Sequence, residues 1–363
     1  TMTRKEEIEK LVETSAPVFE ETSDKIWEYA ELCYEETQSS ALQKKVLREL
    51  GFSIQEVKNT PTAFIASYGE GHPIVAILGE YDALANLNQE ADCDVHKPME
   101  PGKPGHGCGH NLLGTASMCA VNAVKNYLQA HNLPGTIRYY GCPAEEGGSA
   151  KTFMVRDGLF KDCDIELSWH PAQFNYGWDG KDCLGTYNIL FKFKGIAAHA
   201  AACPQLGRSA LDACELMNVG VNYLREHIIP EARVHYAYLN AGGTAPNVVP
   251  AEAELSYVIR APKMSDMYDI ADRVIDCAKG AALMTSTQMS YKVVSGTSNL
   301  ISTKIVRDRF DANIDAFLPI PYTEEELAYA EKFKKTLDSS DEKRLIDSIQ
   351  RNYPDKTPAE VRA

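Results

Sequence analysis

The sequence predicts an α/β protein, a mostly parallel mixed sheet flanked by helices, interrupted by a smaller ferredoxin-like α+β unit. Three observations point to it. Short β-rich runs alternate with helical stretches through the first half of the chain; from Gly185 the order becomes strand, helix, strand, strand, helix, strand; and only helical sequence follows Thr297. A length of 363 residues leaves room for two domains, and the change of pattern places them at 1–184 and 297–363 for a divided α/β domain and 185–296 for the inserted unit.

Residues from Lys5 to Leu50 read as helix, with Ile8, Leu11 and Val12 and then Ile26, Trp27 and Ala30 at three-and-four spacing before Gly51 ends the run. Phe64 to Tyr68 and Ile74 to Leu78 read as strands between Pro and Gly. Leu112 to Leu128 is long and apolar enough for a buried helix, followed by a strand from Ile137 to Tyr140, a helix from Ser149 to Val155 and a strand from Ile165 to Trp169. In the second pattern Tyr187 to Phe193, Val234 to Leu239, Glu252 to Ile259 and Met289 to Val294 are strands, and Ser209 to Leu224 and Asp266 to Ala282 are helices. Helices from Ile305 to Ile314, Glu324 to Leu337 and Glu342 to Ile349 close the chain.

Composition narrows the function. Hydrophobic residues at 44% and charged residues at 24%, with a mean hydropathy of -0.31, fit neither a membrane-embedded nor a disordered chain. A net charge of -14, spread along the sequence, repels phosphate backbones and anionic lipid, so nucleic acid and membrane are excluded as expected partners. The opening TMTRKEEIEK has no apolar stretch after its basic residues, unlike a secretory signal, and the expected location is cytoplasmic. Ten cysteines without a C-x-x-C pair suit thiols better than disulfides, and Cys33, Cys119, Cys163, Cys214 and Cys277 are expected to be buried.

Four segments carry chemistry. In the stretch from Pro104 to Asn111, three glycines alternate with His106, Cys108 and His110 directly before a helix. The backbone can wrap tightly there while imidazole and thiolate converge, a donor set that zinc, manganese or cobalt accepts and magnesium or calcium does not. A Gly-rich loop before a helix also suits a phosphate, although that use needs neither Cys nor two His. Glu145 and Glu146 follow a strand between small residues; if Glu146 binds a metal, Glu145 is left free to take a proton from a water the metal activates, whereas alone the two read as a solvated turn pair. His170 ends another strand, where a lone His is ordinarily a hydrogen-bonded structural residue. Asp82, after the strand ending at Leu78, suits either the orientation of a ligating His or the capping of a turn. Four strand ends thus deliver Asp82, Cys108 with His110, Glu145 with Glu146, and His170 to one edge, which favours a single site. A thiol hydrolase built on Cys108 with His106 or His110 is the competing enzyme reading.

The strings GEYDAL (79–84), HGCGHNLLG (106–114), CPAEEGG (142–148), SWHP (168–171), AAHAA (197–201), GRSALDA (207–213), GGTAPNVVP (242–250) and GTSNL (296–300) resemble the dinuclear metallo-amidohydrolases of the aminoacylase and carboxypeptidase-G superfamily. The branch that includes the aminobenzoyl-glutamate hydrolases is the most similar, and the likeness runs from about Ile26 to Asn299. It implies a zinc-peptidase-like catalytic domain with an inserted dimerisation and lid domain. It implies two divalent metal ions (zinc, manganese or cobalt) on Cys108, His110, Glu146 and His170, with Glu145 as general base and Asp82 tuning a ligand. By the same resemblance, His199 reaches the partner's active site to stabilise the oxyanion, and Asn247 and Arg260 hold the substrate carboxylate. Read without it, these three are an exposed His, a turn Asn and a strand-end Arg. The implied substrate is a small amide with a free carboxylate, an N-acyl or N-aroyl amino acid or a dipeptide, and the implied assembly a homodimer or heterodimer. Two departures stand out. Glu80 occupies a place where wider relatives carry His, and the last ligand His of the branch has no counterpart, since the final histidine is His235. The second departure makes a catalytically silent or truncated homologue, acting as partner or scaffold, the alternative expectation.

Overall fold

The computed structural model describes residues 2–178, 180, 183–301 and 303–362. They form two compact units, Thr1–Asn175 with Asn313–Lys343, and Tyr176–Ala312 with Arg344–Ala363.

In the first unit, helix α1 (Arg4–Tyr29) starts at a capping box in which the Thr3 hydroxyl accepts from Glu6 N at 3.2 Å and the Glu6 carboxylate accepts from Thr3 N at 2.7 Å. The single helix expected from Lys5 to Leu50 breaks: Ala30 turns left-handed at φ 43° and the chain resumes as α2 (Thr37–Glu49). Glu31 is the cause. Its carboxylate accepts from the backbone N–H of Gln38 and Ser39 at 3.0 and 2.8 Å and from the hydroxyls of Thr37 and Ser39, so it caps the orphan donors of the second helix from outside. Replacing Glu31 by Ala is expected to lower unfolding free energy by about 1–2 kcal/mol, read as a lower denaturant midpoint; an unchanged midpoint would refute this role.

The sheet of this unit uses β1 (Ser53–Glu56), β2 (Phe64–Glu70), β3 (Ile74–Gly79), β4 (Gly135–Gly141) and β5 (Ile165–Leu167), in the order β1-β2-β4-β3-β5, with α3 (His110–Ala130) between β3 and β4 and α4 (Ala150–Arg156) between β4 and β5. β3 runs parallel to β4 and β5, while β1 and β2 are antiparallel. Both faces are covered. Phe64, Ala66, Ile137 and Tyr139 pack with Phe19, Ile26, Leu47, Met118 and Val121 of the helices, whereas Ile65, Ala76 and Tyr140, at alternate positions, pack with Cys142 and Met154. The register sets Gly79 beside Gly141 and Ile77 beside Leu167, so the loops after three parallel strands leave the sheet at one edge.

The second unit contains β6 (Gly185–Lys194), α5 (Ala210–Leu224), β7 (Arg233–Asn240), β8 (Glu252–Ala261), α6 (Met264–Thr285) and β9 (Gln288–Thr297). Its sheet is antiparallel in the order β7-β8-β6-β9, the ferredoxin-like arrangement. Ile189, Phe191 and Phe193 of β6 and Leu255, Tyr257 and Ile259 of β8 turn alternate side chains under α5 and α6, meeting Ala213, Met217, Val221, Ile270 and Val274. Helices α7 (Lys304–Phe317), α8 (Glu324–Lys334), α9 (Ser339–Asn352) and α10 (Pro358–Arg362) follow. Among the described residues no helix is long and apolar enough to cross a membrane. All ten cysteines are free thiols; of the five expected in the core only Cys214 is fully buried, the others lying at its margin.

Candidate metal centre

The centre is assembled by loops of the first unit. After β3, Leu84 and Gly105 exchange two backbone hydrogen bonds of 3.0 Å, clamping the segment that carries Glu80 and Asp82 to the one that carries Cys108. A Cβ at Gly105 would lie 1.8 Å from the carbonyl oxygen of Leu87, so the close approach requires glycine. Gly109 has φ 74°, and a Cβ on it would meet Pro171 at 2.9 Å. This left-handed residue separates Cys108 from His110 and lets the segment bearing His170 approach them.

His110 opens α3 with a fully buried side chain. Its Nδ1 lies 2.8 Å from Asp82 Oδ1 and 3.1 Å from the Asp82 carbonyl oxygen. The carbonyl can only accept, so Nδ1 carries the proton and Nε2 turns its lone pair inward. There it stands 3.1 Å from Glu80 Oε2 and 3.8 Å from both Glu145 Oε2 and Glu146 Oε1. Asp82 Oδ2 accepts from Glu146 N at 2.9 Å and from the Cys33 thiol at 3.6 Å. Burial works against ionisation of Asp82, but hydrogen bonds from His110 and Glu146 N outweigh it and hold its pKa below the usual value. Burial likewise opposes a charge on His110, and the Asp82 and Glu80 carboxylates outweigh that and raise it.

On the other side Cys108 Sγ is 3.4 Å from His170 Nε2, while His170 Nδ1 donates to the Pro171 carbonyl at 2.9 Å, so its Nε2 lone pair faces the sulfur. Burial first, then the Glu146 carboxylate, push the Cys108 thiol up to about 12, a direction that a bound cation would reverse. His106 is turned away: its Nε2 donates to the Ile26 carbonyl at 3.0 Å, and burial holds its pKa down to about 4. The imidazole at the thiol is thus His170, not the His106 or His110 of a thiol hydrolase. Glu145 is exposed, and burial together with Glu80 and Glu146 raises its pKa, as suits a proton acceptor.

Ligand-type atoms of Cys108, His110 and His170 lie within 4.8 Å of one another, as do those of Glu80, His110 and Glu145. Three buried atoms here, His110 Nε2, Glu80 Oε2 and Glu146 Oε1, have no hydrogen-bond partner. Lone pairs buried against each other destabilise a fold unless a cation lies between them, and nitrogen, sulfur and oxygen donors together fit a divalent transition metal. The residues therefore fit a metal.

Two neighbours escape sequence reasoning. Lys151, in the first turn of α4, pairs with Glu80 Oε1 at 2.5 Å across 71 positions, and Glu36 accepts from Ala144 N at 2.8 Å, fixing the turn before Glu145. Neither carries a local signal; only the three-dimensional contact reveals them.

The remaining sequence-derived residues belong to the second unit. His199 is exposed and accepts from the N–H of Ala201 and Ala202 at Nδ1, at 3.2 and 3.1 Å, which leaves its proton on Nε2. It bridges to Val248, and Ala200 N donates to the Asn247 carbonyl at 3.0 Å, so His199 and Asn247 sit in paired segments. Arg260, exposed near the end of β8, lies 3.5 Å from the Thr186 hydroxyl.

Residues 76–313 match the description of peptidase family M20/M25/M40. The chain is 46% identical over 343 residues to one of the two kinds of subunit of the p-aminobenzoyl-glutamate hydrolase of Escherichia coli K12, covering 94% of this chain and 71% of that protein. It is 30% identical to the Xaa-Arg dipeptidase of Mus musculus over 77% of this chain, spanning 65% of that enzyme's length. Among solved structures, a Bacillus subtilis dinuclear metal-binding peptidase of the M20 family superposes with a TM-score of 0.60 at 20% identity, over 80% of this chain and 76% of its own.

Proposed function

This chain belongs to peptidase family M20/M25/M40, and we propose that it is a two-metal hydrolase of the amide bond in N-acyl or N-aroyl amino acids of the aminobenzoyl-glutamate kind, or in dipeptides. The observation that carries this reading is the inward-facing set of buried, unpartnered donor atoms beside the Cys108 and His170 pair. In it Cys108, His110, Glu146 and His170 hold two divalent ions, zinc, manganese or cobalt. When bound, such ions polarise an amide carbonyl and lower the pKa of water. Asp82 fixes the His110 tautomer, and Glu145, raised in pKa and open to solvent, takes the proton and returns it to the leaving amine.

His199 Nε2–H is suited to meet the oxyanion, and in our reading it does so in the active site of a partner subunit. Asn247 and Arg260 hold the substrate carboxylate, the guanidinium by paired hydrogen bonds. Association through the second unit, into a homodimer or with a related subunit, is supported by Leu216, Val219 and Tyr223, which form an exposed apolar stripe along α5. Free thiols throughout suit a reducing, cytoplasmic setting.

Hydrolysis of p-aminobenzoyl-glutamate and of an acyl-amino-acid and dipeptide panel, followed by release of free amine, tests the reading. Turnover is expected to vanish after chelation and to return with zinc, manganese or cobalt. Undiminished turnover by metal-free protein would overturn it.

A further inference from the structure

We propose that Glu80 is an additional oxygen ligand of the cation held at His110, with Lys151 gripping the opposite carboxylate oxygen. The inference rests on the metal-dependent reading above and goes beyond the four ligands assigned there. Glu80 is 7% exposed and its two oxygens have different surroundings. Oε1 meets the Lys151 ammonium at 2.5 Å, whereas Oε2 is buried, has no hydrogen-bond partner and lies 3.1 Å from His110 Nε2, itself without one. A carboxylate serving only to neutralise Lys151 has no need to bury its second oxygen against an imidazole.

The spacing decides between a hydrogen bond and a shared ion. Asp82 keeps the His110 proton on Nδ1, so Nε2 and Oε2 meet lone pair to lone pair. Two donors each bonded at 2.0–2.2 Å to one ion stand about 3.0–3.4 Å apart at ordinary coordination angles, and 3.1 Å falls in that interval. Glu145 offers a further oxygen to the same space. Because Lys151 cancels its charge, Glu80 supplies an oxygen without adding net negative charge, and the ion on this side is the more weakly held of the two.

The experiment is metal titration of the metal-depleted full chain, by equilibrium dialysis with elemental analysis for manganese and zinc, and by visible absorption for cobalt(II). Wild type is expected to take up two equivalents. Glu80→Gln is expected to weaken the looser step by about 100-fold while leaving the tighter one within threefold, since losing even an outer partner of a metal site costs 10–100-fold. The double variant Glu80→Gln with Lys151→Met removes the stranded ammonium along with the carboxylate, which guards against misfolding. It is expected to stay as weak, because deleting a charge does not restore a missing oxygen. Wild-type affinity for both steps in Glu80→Gln, or recovery of the looser step in the double variant, would overturn the proposal and leave the hydrolase reading intact. A wild-type chain that takes up no metal would overturn both.

Discussion

Glu145→Gln is expected to lower kcat on the amide panel by about 10²- to 10⁴-fold, the range for loss of a positioned general base, with metal content unchanged. The substitution is isosteric and keeps an acceptor oxygen, but an amide cannot take a proton. Two features separate Glu145 from its neighbour. Glu146 is half-buried, presents an unpartnered oxygen to the cluster and has its own N–H held by Asp82. Glu145 is exposed, and burial, Glu80 and Glu146 shift it toward a higher pKa, so it accepts a proton more readily than an ordinary carboxylate. Elemental analysis discriminates the roles: a variant that loses both turnover and a metal equivalent would make Glu145 a ligand, and one that keeps full turnover would remove it from the chemistry.

The contrast between these adjacent residues shows what is legible in the sequence. The positions after β3, β4 and β5 follow from short apolar runs ended by Gly79, Gly141 and Leu167, because a parallel strand buried on both faces needs such a run and must then turn. The ferredoxin-like unit is equally readable, since Ile189, Phe191 and Phe193 alternate as a half-buried strand must. What resists reading depends on contacts distant in sequence. Nothing in the helical spacing of residues 5–50 reveals that Glu31 folds onto the N–H groups of Gln38 and Ser39 and splits the helix. β1 has only Ile54 partly buried among polar residues and exists because β2 offers it a register. Glu80 carries no cue to its ammonium partner on α4, 71 positions away.

Asp82→Asn is expected to lower metal affinity by about 10- to 100-fold, the usual effect of removing a carboxylate behind a ligating histidine, and to reduce stability by about 1–3 kcal/mol for an unsatisfied buried donor. The carboxylate receives a proton donor on each oxygen: His110 Nδ1–H at 2.8 Å on Oδ1 and Glu146 N–H at 2.9 Å on Oδ2. Asn has one oxygen for two donors. If its amide nitrogen faces His110, the imidazole must shift its proton to Nε2, which then cannot bind a cation. If the amide nitrogen faces Glu146, two N–H groups confront each other and the ligand loop is displaced. The two orientations fail by different routes, so nitrogen NMR of the His110 tautomer tells them apart, and the metal titration measures the common outcome. An Asn variant that binds metal as tightly as wild type would mean that the Asp82 carboxylate neither orients His110 nor anchors Glu146 in the working site.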